Sequence, residues 1–421
     1  MRKQVALSRH YDIFLLLFFT IFTTPSFASQ SNISTFFETG ERSVTDTIED
    51  RDISGNYSFY RFFGRFDQEV SKVFKYNVSY EYYFKDYGVS DNLDMTSNQG
   101  RAAFDYWIAP EKFKLSLDAG FKSKDYKNSP SSEYDRSNAT IGLDYKYEEL
   151  WSLGWDNGFI NYDYEKADND QLKLFTKLRG WMKFFDERLK FTPSFKYQKV
   201  DNDGPTKDRA EQVFAASSYY KLNLPYFEKV GFYYGFGKND TKDYEDDDRD
   251  DDLRFKYQRW HVSTDHPLLE KLDTAFKYGQ TRRNYQNSSN NYRAWFIENK
   301  TNFKIYKDEL KEVSFSVPLE HWEGAYGLVD SLNYIKNLVG ARLSYKVKDS
   351  WELTPAFTFK KYDYHNNPDK DEKQYEAKIE FLKNLPKNLG LNLAYKYQYK
   401  DFKHKTDVTL WTIRVGIDWE F

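Results

Sequence analysis

The sequence predicts an all-β fold: a transmembrane antiparallel up-and-down β-barrel of about 20 strands, roughly 18 to 22, with short turns at one end and longer loops at the other. Three observations carry this expectation. The chain ends on a segment whose apolar and polar residues alternate without a break. The same alternation recurs along its length. The connections between alternating segments come in two lengths, taken in turn.

The closing segment has Trp411, Ile413, Val415, Ile417, Trp419 and Phe421 on one parity. Thr412, Arg414, Gly416, Asp418 and Glu420 occupy the other. Successive side chains of a strand point to opposite faces, so one face is wholly apolar and the other polar. Lipid suits the first face and a wet lumen the second.

Earlier segments repeat the pattern. Phe113, Leu115, Leu117, Ala119 and Phe121 alternate with Lys114, Ser116, Asp118, Gly120 and Lys122. Leu389, Leu391, Leu393, Tyr395, Tyr397 and Tyr399 alternate with Gly390, Asn392, Ala394, Lys396, Gln398 and Lys400. A period of two held this long is the signature of half-buried strands. Pro193, Pro318 and Pro355 fall inside such segments. Proline removes a ladder donor, so bulges or weakened pairing are expected there.

The short connections fall at 69–72, 110–112, 149–152, 186–188, 225–228, 266–270, 307–309, 348–350 and 384–387. They recur about every 40 residues, one strand-loop-strand-turn unit. The intervening connections are longer and very polar, as at 88–99, 125–137, 200–209 and 240–252. A β-propeller blade has a similar period, but it carries four short strands where each repeat here has two long ones. Nine turns join ten hairpins, so both ends of the barrel domain fall on the turn side.

Residues 1–28 read as a cleaved secretory signal. Arg2, Lys3 and Arg9 are positive, Ile13 to Phe22 is apolar apart from Thr20, and Ser26-Phe27-Ala28 is a small-x-small site. The expected mature chain, 29–421, is a single barrel domain.

Composition agrees. Aromatics reach 19%, yet mean hydropathy is −0.84. A barrel reconciles the two, because only alternate residues meet lipid and aromatics crowd the interfaces. The absence of cysteine excludes disulfides, thiolate metal sites and covalent haem attachment, and no cofactor is expected. Formal charge is −3, or −5 once Arg2, Lys3, Arg9 and Asp12 leave with the signal, which points to no nucleic-acid partner.

Together these features resemble Gram-negative outer-membrane porins as a class. In that class a terminal aromatic on the closing strand is a hallmark of the assembly signal, which the resemblance places at Trp419 and Phe421. It implies an outer-membrane location, lipid and lipopolysaccharide as surroundings, and the barrel-assembly machinery as a partner. The sequence carries no motif of the trimeric general porins, the maltoporins or the oligogalacturonate channels, and no N-terminal plug.

Alternation places a basic set on the lumen face: Lys173, Lys177, Arg179, Lys190, Lys196, Arg254, Lys256, Lys277, Arg342, Lys346, Lys396, Lys400 and Arg414. The acidic inward set is shorter, so the wall concentrates anions. Cross-strand charge pairing that merely holds the wall together is the plainer account. Tyr83, Trp107 and Trp181 also point inward, where they can stack on sugar rings or pack the wall. The run Glu245 to Asp252 is acidic but lacks the glycine of a calcium loop, and reads as a solvated loop. Histidines 261, 266, 321, 365 and 404 are scattered, and no nucleophile motif accompanies them, so no enzyme is expected.

The functional expectation is a passive channel, anion-leaning, for small solutes or oligosaccharides. The alternative is a barrel sheath around a periplasmic lipoprotein, cytochrome or export partner. A membrane-embedded enzyme stands third.

Overall fold

The computed structural model describes residues 29–46, 51–86, 94–127, 129–164, 170–203, 208–242, 255–285, 291–327, 332–386, 388–403 and 407–420. The signal segment, the acidic run 245–252, Arg254, His404 and Phe421 lie outside them.

The strands are β1 (Ser29–Asp46), β2 (Arg51–Ser71), β3 (Phe74–Asp86), β4 (Met95–Ala109), β5 (Phe113–Tyr126), β6 (Tyr134–Tyr147) and β7 (Trp151–Tyr164). Then come β8 (Gln171–Phe184), β9 (Leu189–Asn202), β10 (Asp208–Leu224), β11 (Phe227–Lys242), β12 (Phe255–Leu269), β13 (Leu272–Tyr285) and β14 (Tyr292–Lys307). Last are β15 (Lys311–Tyr326), β16 (Tyr334–Val347), β17 (Trp351–Tyr364), β18 (Glu372–Leu385), β19 (Leu389–Phe402) and β20 (Asp407–Glu420). Each pairs antiparallel with its sequence neighbours, and β20 closes on β1 with Trp419 opposite Ile33. The result is a closed barrel of 20 strands.

Closure leaves no unpaired edge, which is what lets a sheet stand in hydrocarbon. The outside is apolar and uncovered. Val262, Tyr278 and Ile297 lie side by side on β12, β13 and β14, and are 37%, 49% and 43% exposed. Leu393, Ile413, Val415 and Ile417 continue the belt across β19 and β20. A soluble protein does not display such a continuous apolar surface, whereas lipid requires it.

All nine short turns join strands where the sequence places them, although at 266–270 the bend itself is Glu270–Lys271 and His266 belongs to β12. Among the described residues, every non-glycine residue with positive φ sits in one of these turns: Glu111, Glu148, Phe185, Asp186, Glu187, Tyr226, Asp349 and Asn388. Left-handed residues match the twist of tight hairpins, so short connections demand them. The strands run 13 to 21 residues. About 9–11 tilted residues cross a bilayer, so their loop-side ends stand clear of it.

The prolines weaken the pairing, as expected, without forming bulges. Register is continuous on both sides of Pro193, Pro318 and Pro355, and no bulge occurs there. Each merely interrupts the ladder on one side, as at Pro318, where pairing with β16 lapses between Ser316 and Leu319. The register shifts lie instead beside turns, at Glu69/Ser71, Trp107/Ala109, Lys221/Leu224, Pro267/Leu269 and Lys304/Tyr306.

Candidate functional site in the lumen wall

Twenty strands spaced about 4.8 Å apart and tilted about 40° enclose a ring roughly 40 Å across, backbone to backbone. Whatever the protein does inside that ring, the inward rows must do it.

Strand pairing fixes which residues those are, since directly opposed residues share a face. The inward rows hold Lys173, Lys177 and Arg179 on β8, and Lys190 and Lys196 on β9. Lys277 lies inward on β13, Arg342 and Lys346 on β16, Lys396 and Lys400 on β19, and Arg414 on β20. Lys256 does not. It opposes Lys238 and Asn284, on the parity of exposed Phe236, Val262 and Tyr278, and so faces outward. The inward residues of β12 are Phe255, Tyr257, Arg259, His261, Ser263 and Asp265. Both parities of β12 carry aromatics, so alternation alone could not assign its faces. Arg254 is outside the described residues.

Much of the wall is ion-paired. Lys277 reaches Glu298 at 2.8 Å, Lys396 reaches Glu376 at 3.0 Å, Lys400 reaches Glu372 at 3.8 Å and Arg414 reaches Glu380 at 3.4 Å. Arg179 bridges two carboxylates, Asp144 at 2.8 Å and Asp156 on the neighbouring strand. Lys114 adds Asp105 at 3.5 Å and Asp144 at 3.6 Å. This network lies over Gly154. A Cβ there would stand 2.5 Å from Asp144 Oδ1 and 2.9 Å from Arg179 Nε, so only glycine leaves room for the bridge.

Trp107 and Trp181, both inward, line one recess of about 540 Å³ near the short-turn end. Lys114, Asp144, Lys146 and Arg179 lie between them. That volume is in the range of small-ligand sites. Lys75 and Lys114 approach the Trp107 ring at 5.6 and 5.9 Å, and Lys183 and Lys190 approach Trp181 at 5.6 and 5.5 Å.

Sequence reasoning missed a second aromatic feature. Tyr233, His261, Gly279, Phe296, Trp322 and Lys336 form one transverse inward row across β11 to β16. Tyr233 stacks on His261 at 4.8 Å, and Phe296 stacks on Trp322 at 4.4 Å. Arg259 and Lys277 cover Phe296, which is fully buried. Gly279 admits the neighbouring rings, since a Cβ would lie 2.8 Å from Phe296 Cζ. The signal lay across several strands, which no local pattern reveals.

The basic rows of the wall can therefore attract anions and its aromatic clusters can stack flat rings. Among the described residues, no group of three or more histidines and carboxylates is arranged to hold a metal. The described histidines are dispersed: His266 bonds the Tyr226 carbonyl and Thr264, and His321 bonds Asn337.

No protein-family model matches the chain, and no curated protein sequence matches it. Solved structures do. The outer membrane transporter YddB from Escherichia coli is similar with a TM-score of 0.58 at 9% identity, covering 91% of this chain and 80% of that one. A mutant ferric enterobactin receptor (PfeA) from Pseudomonas aeruginosa gives a TM-score of 0.55 at 10% identity, covering 94% and 82%. The siderophore receptor PirA from Pseudomonas aeruginosa gives 0.53 at 9%, covering 95% and 81%. At such identities the likeness is one of fold: the chain has the architecture of the Gram-negative outer-membrane β-barrels.

Proposed function

We propose that the protein is a channel of the Gram-negative outer membrane through which small anionic solutes or oligosaccharides diffuse passively. One observation carries the reading: bases outnumber acids on the inward rows, and several have no carboxylate partner among the described residues. Lys173, Lys177 and Lys190 are of this kind. Lys173 stands instead among Arg136, Lys196 and Arg209. Uncompensated positive charge along a low-dielectric wall raises the local concentration of anions. The fold of outer-membrane transport proteins supports the setting and not the solute.

Reversal potentials of the purified protein in planar bilayers, under a salt gradient, test this. An anion preference that fades as salt rises is expected, because the screening length falls to about 3 Å at 1 M. Cation selectivity would overturn the reading.

The lumen width favours a second reading. A ring roughly 40 Å across exceeds what small solutes need, and barrels near this size elsewhere hold an occupant. A barrel sheathing a periplasmic lipoprotein, cytochrome or export partner fits that space. A purified barrel that inserts and conducts nothing would favour the sheath. We infer no catalytic role for the wall.

A further inference from the structure

The seam between β8 and β9 breaks the rule that opposed side chains should not carry like charge. Lys177 faces Lys196 directly, and Lys183 faces Lys190. Arg179 lies between these pairs on β8. Beyond them toward the long-loop end, Lys173 and Arg209 flank Val200, which is 1% exposed. The bases thus form one stripe from Lys173 to Lys183, ten residues of strand or about 33 Å, which at a tilt of about 40° covers roughly the 25 Å depth of the apolar band.

The stripe is only partly neutralised. Arg179 has Asp144 and Asp156, Lys196 has Glu211 at 3.6 Å, and Lys183 has turn residues Glu187 and Glu149 at 3.0 and 3.7 Å. Among the described residues, no carboxylate forms an ion pair with Lys173, Lys177, Lys190, Arg136 or Arg209; Asp156, opposite Lys177 on β7, is taken by Arg179. The β18–β19 wall is the contrast, with Lys378, Lys396 and Lys400 each matched to a glutamate. A ring marks each end of the stripe. Tyr162 lies under Lys173 at 4.6 Å and Arg136 at 5.8 Å, and Trp181 lies by Lys190 at 5.5 Å and Lys183 at 5.6 Å. Below Arg179 and Trp181 opens the recess of about 540 Å³.

We propose that this seam is a binding track for a linear polyanion, an oligosaccharide of acidic sugars. The proposal rests on the channel reading and names its substrate class. Opposed lysines are unfavourable by themselves and become favourable when carboxylates lie between them. A chain bearing a carboxylate on each sugar meets successive lysines along the strand, and each contact raises the effective concentration for the next. The tyrosine and tryptophan supply the apolar surface that sugar rings need and that a bare phosphate chain would not use.

Equilibrium binding to the full-length barrel in detergent tests the track without requiring current. The probes are a linear oligogalacturonate long enough to span the seam, galacturonate monomer, a neutral α-1,4-glucan of equal length, and polyphosphate. The oligogalacturonate should bind far more tightly than its monomer or the glucan, and more weakly in high salt. Lys177→Gln with Lys190→Gln should weaken it roughly tenfold, the scale of a charge-assisted hydrogen bond to the ligand. Removing two charges elsewhere, by Lys300→Gln with Lys304→Gln on β14, should not. The seam variant should unfold at a temperature no lower than wild type, since it is relieved of like-charge repulsion; a lower one would mark the lysines as structural and sink the track. Equal binding of glucan, no gain over monomer, or equal weakening in the β14 variant would also overturn it, and tighter binding of polyphosphate would overturn the sugar assignment. A barrel that binds the oligogalacturonate yet conducts nothing would keep the track and remove the channel.

Discussion

A single residue on this barrel is defined by its parity. Leu393 and Ala394 are neighbours on β19, yet Leu393 is 37% exposed on the outer belt and Ala394 opposes Arg414 on the lumen side. Leu393→Arg should therefore destabilise by about 2–4 kcal/mol, the cost of a cation in mid-bilayer, while Ala394→Arg should be tolerated. Urea unfolding in lipid vesicles measures both, and equal effects would show the β19 register to be wrong. Parity was legible wherever one face was plainly apolar, as in β5, β19 and β20. It was not legible in β12, where Phe255 and Tyr257 oppose Trp260 and Val262 in parity and Lys256 took the outer face. Residue context was less legible still. That Arg179 sits between Asp144 and Asp156 depends on three strands meeting, and on a glycine at 154 that looks unremarkable in the chain.

At the scale of elements, turns were the easiest features to read, because short polar breaks in a period-two pattern have few other meanings. Their internal chemistry was hidden. In the β14–β15 turn, the Asp308 carboxylate accepts from the Tyr306 hydroxyl at 2.5 Å and from the backbone N–H of Leu310 and Lys311 at 2.8 and 2.5 Å. These bonds, the Tyr306 hydroxyl first, hold its pKa below the ordinary carboxylate value. A lowered pKa means that the contribution is present above the unfolded-state value and is lost as pH falls through the folded-state value. We expect protease resistance of this turn to survive mildly acidic buffer and to fall only below the usual aspartate range. Asp308→Asn should remove that step, and an unchanged acid profile in the variant would show that the turn is held by other means. The prolines teach the converse. A missing donor was correctly anticipated, but a bulge was not needed, because one lapsed stretch of ladder on one side suffices while the other side stays paired.

The whole molecule is a ring, and its closure depends on β20 meeting β1. Strand number came out of the hairpin count because every repeat adds two strands and, among the described residues, nothing longer than the three-residue 3-10 turns Pro130–Ser132 and Pro368–Lys370 intervenes. The apolar row of β20 runs through Trp419 beside Ile33 toward Phe421. Deleting Phe421, or replacing it by Asp, should leave the protein periplasmic and protease-sensitive, and normal heat-modifiable migration on gels would count against that assembly role. What the sequence could not show was how charge is distributed around the closed ring, since pairing partners lie up to a full strand-loop-strand unit apart. The structure divides the wall into a matched side at β18–β20 and an unmatched side at β8–β9. Selectivity should therefore respond unequally to equal charge changes. Lys173→Glu alters a base that has no described carboxylate partner and faces Ile160 and Val200 across the strands, so it should move the permeability ratio toward cations while leaving the barrel folded. Arg179→Glu would instead set a third carboxylate against Asp144 and Asp156, and should cost stability as well. Lys396→Glu would likewise meet Glu376. Reversal potentials at low and high salt, read beside thermal unfolding of the same variants, separate the two effects. A shift produced as strongly from β19 as from β8 would mean that the ring acts as one averaged charge and that the unmatched seam has no special part in selection.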